Sequence, residues 1–136
     1  MSKYLFICTG NTCRSPLAES YARQKFPKTD ISSRGLYVAE DTTNSQSLEI
    51  IKDEHLPLPS LPQQLTEEDV KDSTLLVMGN GHKEIIKSRW PEANVQLISE
   101  YASEETADIN DPYGGTKKDY DAVFYQLKHY IDKFKW

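Results

Sequence analysis

Cys8 and Arg14 are separated by five residues in the run Cys8-Thr9-Gly10-Asn11-Thr12-Cys13-Arg14-Ser15-Pro16, and they are the side-chain types best suited to attack a phosphoryl group and to hold it. Cysteine, as thiolate, is a strong nucleophile that can carry a phosphoryl group covalently. Arginine presents a planar fork of donors that grips two phosphoryl oxygens and follows their charge into the transition state, which lysine cannot do. Ser15 is placed to hydrogen-bond the sulfur and make it a better leaving group when a phosphocysteine breaks down. The chemistry expected of this run is phosphoryl transfer through sulfur.

For those groups to meet, the chain around them has to curl. Lys3 to Ile7, with Tyr4, Leu5 and Phe6 between them, reads as a short buried strand. Ser15-Pro16 reads as a helix start, Ser15 as the N-cap and Pro16 as the first helical residue. Between strand and helix, Gly10 and Asn11 tolerate positive φ, so a tight loop can turn its N–H groups inward. Such a loop, ending at a helix N-terminus, concentrates donors and the positive end of the helix dipole on a volume that fits a tetrahedral dianion. Thr9, Gly10, Asn11, Thr12 and Cys13 are therefore the expected phosphate cradle, and its field favours the thiolate form of Cys8. Spacing alone would carry little. Strand, loop, arginine and helix start each fall where the chemistry needs them.

The rest of the chain reads as an alternation of strands and helices. Leu17, Ala18, Tyr21 and Ala22 recur at helical spacing in a helix from Ser15 to Phe26, ended by Pro27. Residues 31 to 38 read as a second strand running into a loop, and Asn44 to Glu54 as a helix with Leu48, Ile50 and Ile51 inward. Pro57, Pro59 and Pro62 exclude helix or central strand from His55 to Pro62, which is expected as an extended surface connection. Thr66 caps a helix opened by Glu67, Glu68 and Asp69. Leu75 to Met78 and Val95 to Ile98 are the third and fourth strands, with a helix from His82 to Trp90 between them. Lys117 to Lys135 closes the chain as a helix with Tyr120, Val123, Phe124, Leu127, Tyr130, Ile131 and Phe134 along one side, a core stripe. The fold class expected is α/β, a single domain over residues 1–136 with a four-stranded parallel sheet and helices on both faces. Ligands bind such sheets beyond the carboxyl ends of the strands, where Cys8 stands. Three loops should share that rim: Leu36 to Thr43, Gly79 to His82, and a long irregular one from Ser99 to Thr116.

Bulk properties agree with one small enzyme domain. A chain of 136 residues is long enough to bury roughly two thirds of its unfolded surface in one core. A net charge of −5, with acids and bases interspersed, argues against nucleic acid as partner. No apolar run reaches spanning length and Met1-Ser2-Lys3 leads directly into a strand, so no membrane and a cytoplasmic location are expected, with the protein a monomer. The only cysteines, Cys8 and Cys13, cannot frame an exported disulfide protein. His55, His82 and His129 are scattered without paired-ligand spacing, so no metal and no cofactor is expected. Cys13 has two readings, a thiol that captures an oxidised Cys8 as a disulfide and a small buried residue behind the loop.

Neither Cys8 nor Arg14 can protonate a leaving group. Asp111, in Asp111-Pro112-Tyr113, is the candidate: Pro112 stiffens it toward extended geometry and Tyr113 can wall the site. On its residues alone it reads as one turn acid among several, since Glu100, Glu104, Glu105 and Asp108 lie in the same stretch.

The cysteine-to-proline run near the N-terminus and Asp111-Pro112-Tyr113 near the C-terminus resemble the low-molecular-weight protein tyrosine phosphatase family, in length, motif order and spacing over essentially the whole chain. Thr12, where tyrosine-specific members usually carry a bulkier aliphatic residue, and Gly114-Gly115 resemble its bacterial protein-arginine phosphatase branch. The resemblance implies that Asp111 is the general acid of a metal-independent, two-step hydrolysis through a phosphocysteine. It also implies partners: phosphorylated proteins, with phosphoarginine favoured over phosphotyrosine, inorganic phosphate as product, and an opposing protein-arginine kinase linked to bacterial stress response and regulated proteolysis. A hydroxyl at Thr12 and a carboxylate at Asp111 would accept from a guanidino group, whose donors an aliphatic wall would leave unpaired.

Three rivals remain. A phosphotyrosine phosphatase would use the same residues. A thiol-dependent arsenate reductase needs cysteines outside the loop, and this chain has none. A phosphate-binding module needs neither nucleophile nor acid. The family usually has alanine at the position of Arg34, whose direction stays open, as does a rim role for His82 beside the plain reading of a helix-start residue. The acids from Glu100 to Asp108 read as a solvated loop that could attract basic segments.

Overall fold

Six residues, Lys3–Cys8, form the first strand, β1, and their alternation divides the core in two. Phe6 and Cys8 face one side of the sheet, Leu5 and Ile7 the other, and all four are buried. The computed structural model describes residues 3–103 and 105–136. Helix α1 (Arg14–Lys25), strand β2 (Asp30–Gly35), helices α2 (Ser45–Asp53) and α3 (Glu67–Asp72), and strand β3 (Ser73–Val77) follow. Then come α4 (Asn80–Arg89), β4 (Val95–Leu97), α5 (Ile98–Ser103) and α6 (Lys117–Ile131). The four strands are parallel, in the order β2-β1-β3-β4. Helices α1, α2, α5 and α6 cover the Phe6 face; α3 and α4 cover the Leu5 face. This is the α/β architecture the alternating pattern implies.

The strand order places the site. The chain leaves β1 for β2 on one side and returns to add β3 and β4 on the other, so the sheet's switch point lies at the carboxyl ends of β1 and β3. Cys8 is the last residue of β1, paired with Gly35.

Several boundaries differ from the sequence expectation, each for a local reason. Helix α1 begins at Arg14 with Cys13 in the cap position, not at Ser15, and no side chain caps it. The Ser15 hydroxyl is engaged by Cys8 and Asn11 instead, and Pro16 sits in a first turn whose N–H groups have no intrahelical partner to lose. Only Asn11 takes positive φ in the loop, at 57°, while Gly10 does not. Strand β2 stops at Gly35, because the next residues bend over the loop and Tyr37 N donates to Thr9 O at 2.8 Å. A Cβ on Gly35 would lie 2.9 Å from Asn11 N, so glycine is what lets the two segments touch. Helix α4 opens at Asn80, and His82 lies inside its first turn.

Helix α5 was expected to be irregular. Its six residues are too few to show a period, and what makes it is capping: Glu100 accepts from Leu97 N at 2.9 Å, and Ser99 Oγ ties to the Ala107 backbone at 2.7 and 3.0 Å. Strands β3 and β4 each end one residue short of expectation and α6 ends at Ile131, although Phe134 beyond it is still buried. Leu48 on α2 is half-buried, with Ser47 taking the inward place beside Ile50 and Ile51. Of the acids expected between 100 and 108, Glu104 lies outside the described residues. Arg34 is held by Asp69 at 3.1 Å, Ser32 Oγ at 3.0 Å and its own strand at 2.8 Å, on the α3 side of the sheet. No helix among the described residues is long and apolar enough to cross a membrane.

Candidate active site

The loop after β1 is shaped from behind. Asn11 is fully buried; its Nδ2 donates to Ser15 Oγ at 2.8 Å and to Ser33 Oγ at 2.9 Å, and its Oδ1 accepts from Gln63 N at 2.9 Å. Ser33 Oγ in turn donates to Glu19 at 2.5 Å. Glu19, also fully buried, accepts from Arg23 at 2.8 Å and from Ser60 N and Oγ at 2.9 and 2.8 Å.

This chain of bonds has a direction. A carboxylate only accepts, so the Ser33 proton is committed to Glu19 and its lone pair to Asn11. Asn11 gives its other amide proton to Ser15, whose own O–H then points at its remaining partner among the described residues, Cys8 Sγ, 2.9 Å away. The buried carboxylate thereby sets a donor on the sulfur, which steadies an anion there and eases its departure. Glu19→Gln should lower stability by about 1–3 kcal/mol, because the amide's N–H₂ would face donors and leave them unpaired. It should also lower kcat, as the serine donors lose their fixed sense. Denaturant midpoints beside kcat check this; a stability loss with kcat unchanged would detach the network from catalysis.

In front of the loop, Cys8, Thr9, Gly10, Thr12, Cys13, Arg14, Asp111 and Tyr113 line one cavity of about 290 Å³, with Tyr37, Ala39 and Glu40 from the loop after β2. Asn11, expected in the phosphate cradle, and Ser15, expected beside the sulfur, do not line it; their side chains work behind the loop. Cys8 and Arg14 are buried at its floor, 3% and 6% exposed, whereas Tyr37 and Tyr113 stand open at the mouth. A larger hollow of about 820 Å³ opens at the other end of the sheet, around Lys3, Ser73, Trp90 and Asn94. No cysteine lines it, whereas both cysteines line the smaller cavity.

Asp111 reaches this cavity through tertiary bonds its sequence does not announce. Ile109 N donates to Met78 O at 2.7 Å, stapling the late loop to the end of β3. Gln126 of α6 pins residues 108 and 110, donating to Asp108 O at 3.0 Å and accepting from Asn110 N at 3.1 Å. The Ile109 carbonyl then accepts from Arg14 Nη1 at 3.1 Å, and Asp111 Oδ2 lies 3.7 Å from Arg14 Nη2. The other Asp111 oxygen accepts from Tyr113 N at 3.0 Å, and Gly114, at φ 77°, completes the turn. Arginine and acid thus face the same few ångströms, with the arginine buried and the acid more than half exposed.

Both thiols are free. Burial pushes the Cys13 thiol up, and its sulfur lies 3.5 Å from the Tyr120 hydroxyl and 3.8 Å from Thr12 Oγ1. Cys13 is both buried and on the cavity wall. Glu40 on the cavity wall, and Glu19 and Ser33 behind the loop, carry no signal in the local pattern, because their places depend on contacts between distant segments. His82, read from the sequence either as a helix-start residue or as part of the rim, is both: it lies in the first turn of α4 and its Nε2 is 3.0 Å from Thr9 Oγ1.

A family model described as low molecular weight phosphotyrosine protein phosphatase matches residues 3–135. The low molecular weight protein-tyrosine-phosphatase PtpB of Staphylococcus aureus is 41% identical over 135 residues, 98% of this chain and 96% of that protein. Among solved structures, the YwlE arginine phosphatase from Geobacillus stearothermophilus superimposes with a TM-score of 0.92 at 32% identity, covering 98% of this chain and 90% of that one. A low molecular weight protein tyrosine phosphatase from T. tengcongensis gives 0.90, also at 32% identity, covering 98% and 97%.

Proposed function

The chain belongs to the low molecular weight phosphotyrosine protein phosphatase family, and from that footing we propose that this cysteine-based protein phosphatase acts on phosphoarginine. Cys8 thiolate attacks phosphorus in line, the bond to the leaving nitrogen breaks, and Asp111 gives that nitrogen its proton. Arg14 and the inward N–H groups of the loop carry the charge that gathers on the phosphoryl oxygens. Asp111, now a base, takes a proton from water as the oxygen attacks the phosphocysteine; phosphate leaves and the sulfur departs as thiolate, steadied by Ser15.

The observation that carries the choice of leaving group is the acceptor-rich wall. Thr12 borders the cavity, its Oγ1 having among the described residues no hydrogen-bond partner beyond its 3.8 Å contact to Cys13 Sγ, and Asp111 and Glu40 line the same space. A guanidino group offers several N–H donors that these oxygens can pair; a phenol offers none. The similarity to a structure described as an arginine phosphatase supports the same reading. Favouring the alternative, phosphotyrosine, are the two open rings of Tyr37 and Tyr113, which suit a flat apolar partner, and relatives named tyrosine phosphatases.

Turnover of matched phosphoarginine and phosphotyrosine peptides, with chelator present, separates the two. Thr12→Ile is expected to lower kcat/KM on phosphoarginine by one to two orders of magnitude, the effect of about 1–3 kcal/mol for unpaired donors in a dry site, and to spare or raise it on phosphotyrosine. Equal losses on both would remove Thr12 as the selector.

A further inference from the structure

His82, in the first turn of α4, bonds through Nε2 to the hydroxyl of Thr9, the residue after the nucleophile. Its other nitrogen, Nδ1, is buried and has no hydrogen-bond partner among the described residues. The ring is held neutral far into acid: burial and then the neighbouring Arg14 charge bring it down to about 4. A neutral imidazole carries one proton, and only two placements exist.

Were the proton on Nδ1, it would be a buried N–H with no acceptor, the rarer and costlier kind of orphan. On Nε2 it is satisfied by Thr9 Oγ1, and only a lone pair is left bare. With Nε2–H donating, the Thr9 oxygen is the acceptor and its own hydrogen is free to turn elsewhere. Thr9 lines the cavity beside Cys8 and Gly10, and its Oγ1 has no other protein partner among the described residues. We propose that His82 is a positioning residue that, by donating from Nε2, aims the Thr9 hydroxyl proton at a peripheral phosphoryl oxygen. The effect is independent of the leaving group, because it concerns the phosphoryl group that either substrate shares.

The test joins nitrogen NMR of the His82 ring with competitive inhibition by inorganic phosphate. The free enzyme should carry its ring proton on Nε2. Thr9→Val and His82→Ala should each weaken phosphate binding about five- to tenfold, the scale of one ordinary net hydrogen bond, with denaturant midpoints reported alongside. His82→Gln, which restores a donor at that reach, should return to within twofold of wild type. The double variant Thr9→Val/His82→Ala should be no worse than Thr9→Val. A proton on Nδ1, a His82→Ala loss undiminished in the Thr9→Val background, or a folded His82→Gln as weak as His82→Ala would each overturn it.

Discussion

Asp111→Asn is expected to lower kcat/KM by about two to three orders of magnitude, and by less as the leaving group improves. Asparagine keeps Oδ1 for the Tyr113 N–H that closes the turn at 3.0 Å, so the loop should hold its shape. What it loses is the proton to give. A departing arginine or alkyl-substituted phenol needs that proton, whereas nitrophenolate leaves well without it. The slope of log kcat/KM against leaving-group pKa should therefore steepen in the variant. A uniform loss across a series of aryl phosphates would mean that Asp111 only shapes the cavity.

Arg14→Lys should cost about a thousandfold in kcat, the upper end of what removal of one transition-state donor does. The guanidinium serves several partners at once: Nη1 to the Ile109 carbonyl at 3.1 Å, Nη2 toward Asp111 at 3.7 Å, and the rest of the fork into the cavity. A lysine ammonium is a single point and cannot reach all of them from one buried position. Because the interaction strengthens as equatorial charge grows, KM should move much less than kcat, and an oxyanion that mimics the trigonal-bipyramidal state should lose more affinity than phosphate. An unchanged kcat with a raised KM would reduce Arg14 to a binding group.

Much of this protein can be read along the chain because its chemistry is local. Cys8, the loop, Arg14 and Ser15 lie within eight residues, and the types that curl a backbone and start a helix also hold a dianion. Alternating strands and helices likewise identify a parallel sheet, since period two and period 3.6 are written in neighbouring residues. Where capping or bending by distant groups set a boundary, as at α5, at the end of β2 and at Cys13 before α1, the local pattern had nothing to report.

By itself, then, the amino-acid order determined the sheet, and it put the proposed nucleophile and anion cradle side by side at the end of the first strand. Tertiary structure alone decided which of the late acids meets Arg14, through a staple from Ile109 to Met78 and two bonds from Gln126. It also decided that the fully buried Glu19 sets the sense of a hydrogen-bond chain ending on sulfur, and that His82 touches Thr9 from 73 residues away. The reason is range. Backbone propensity and hydrophobic period act between near neighbours, whereas a hydrogen bond between loops exists only once the sheet has brought their ends together.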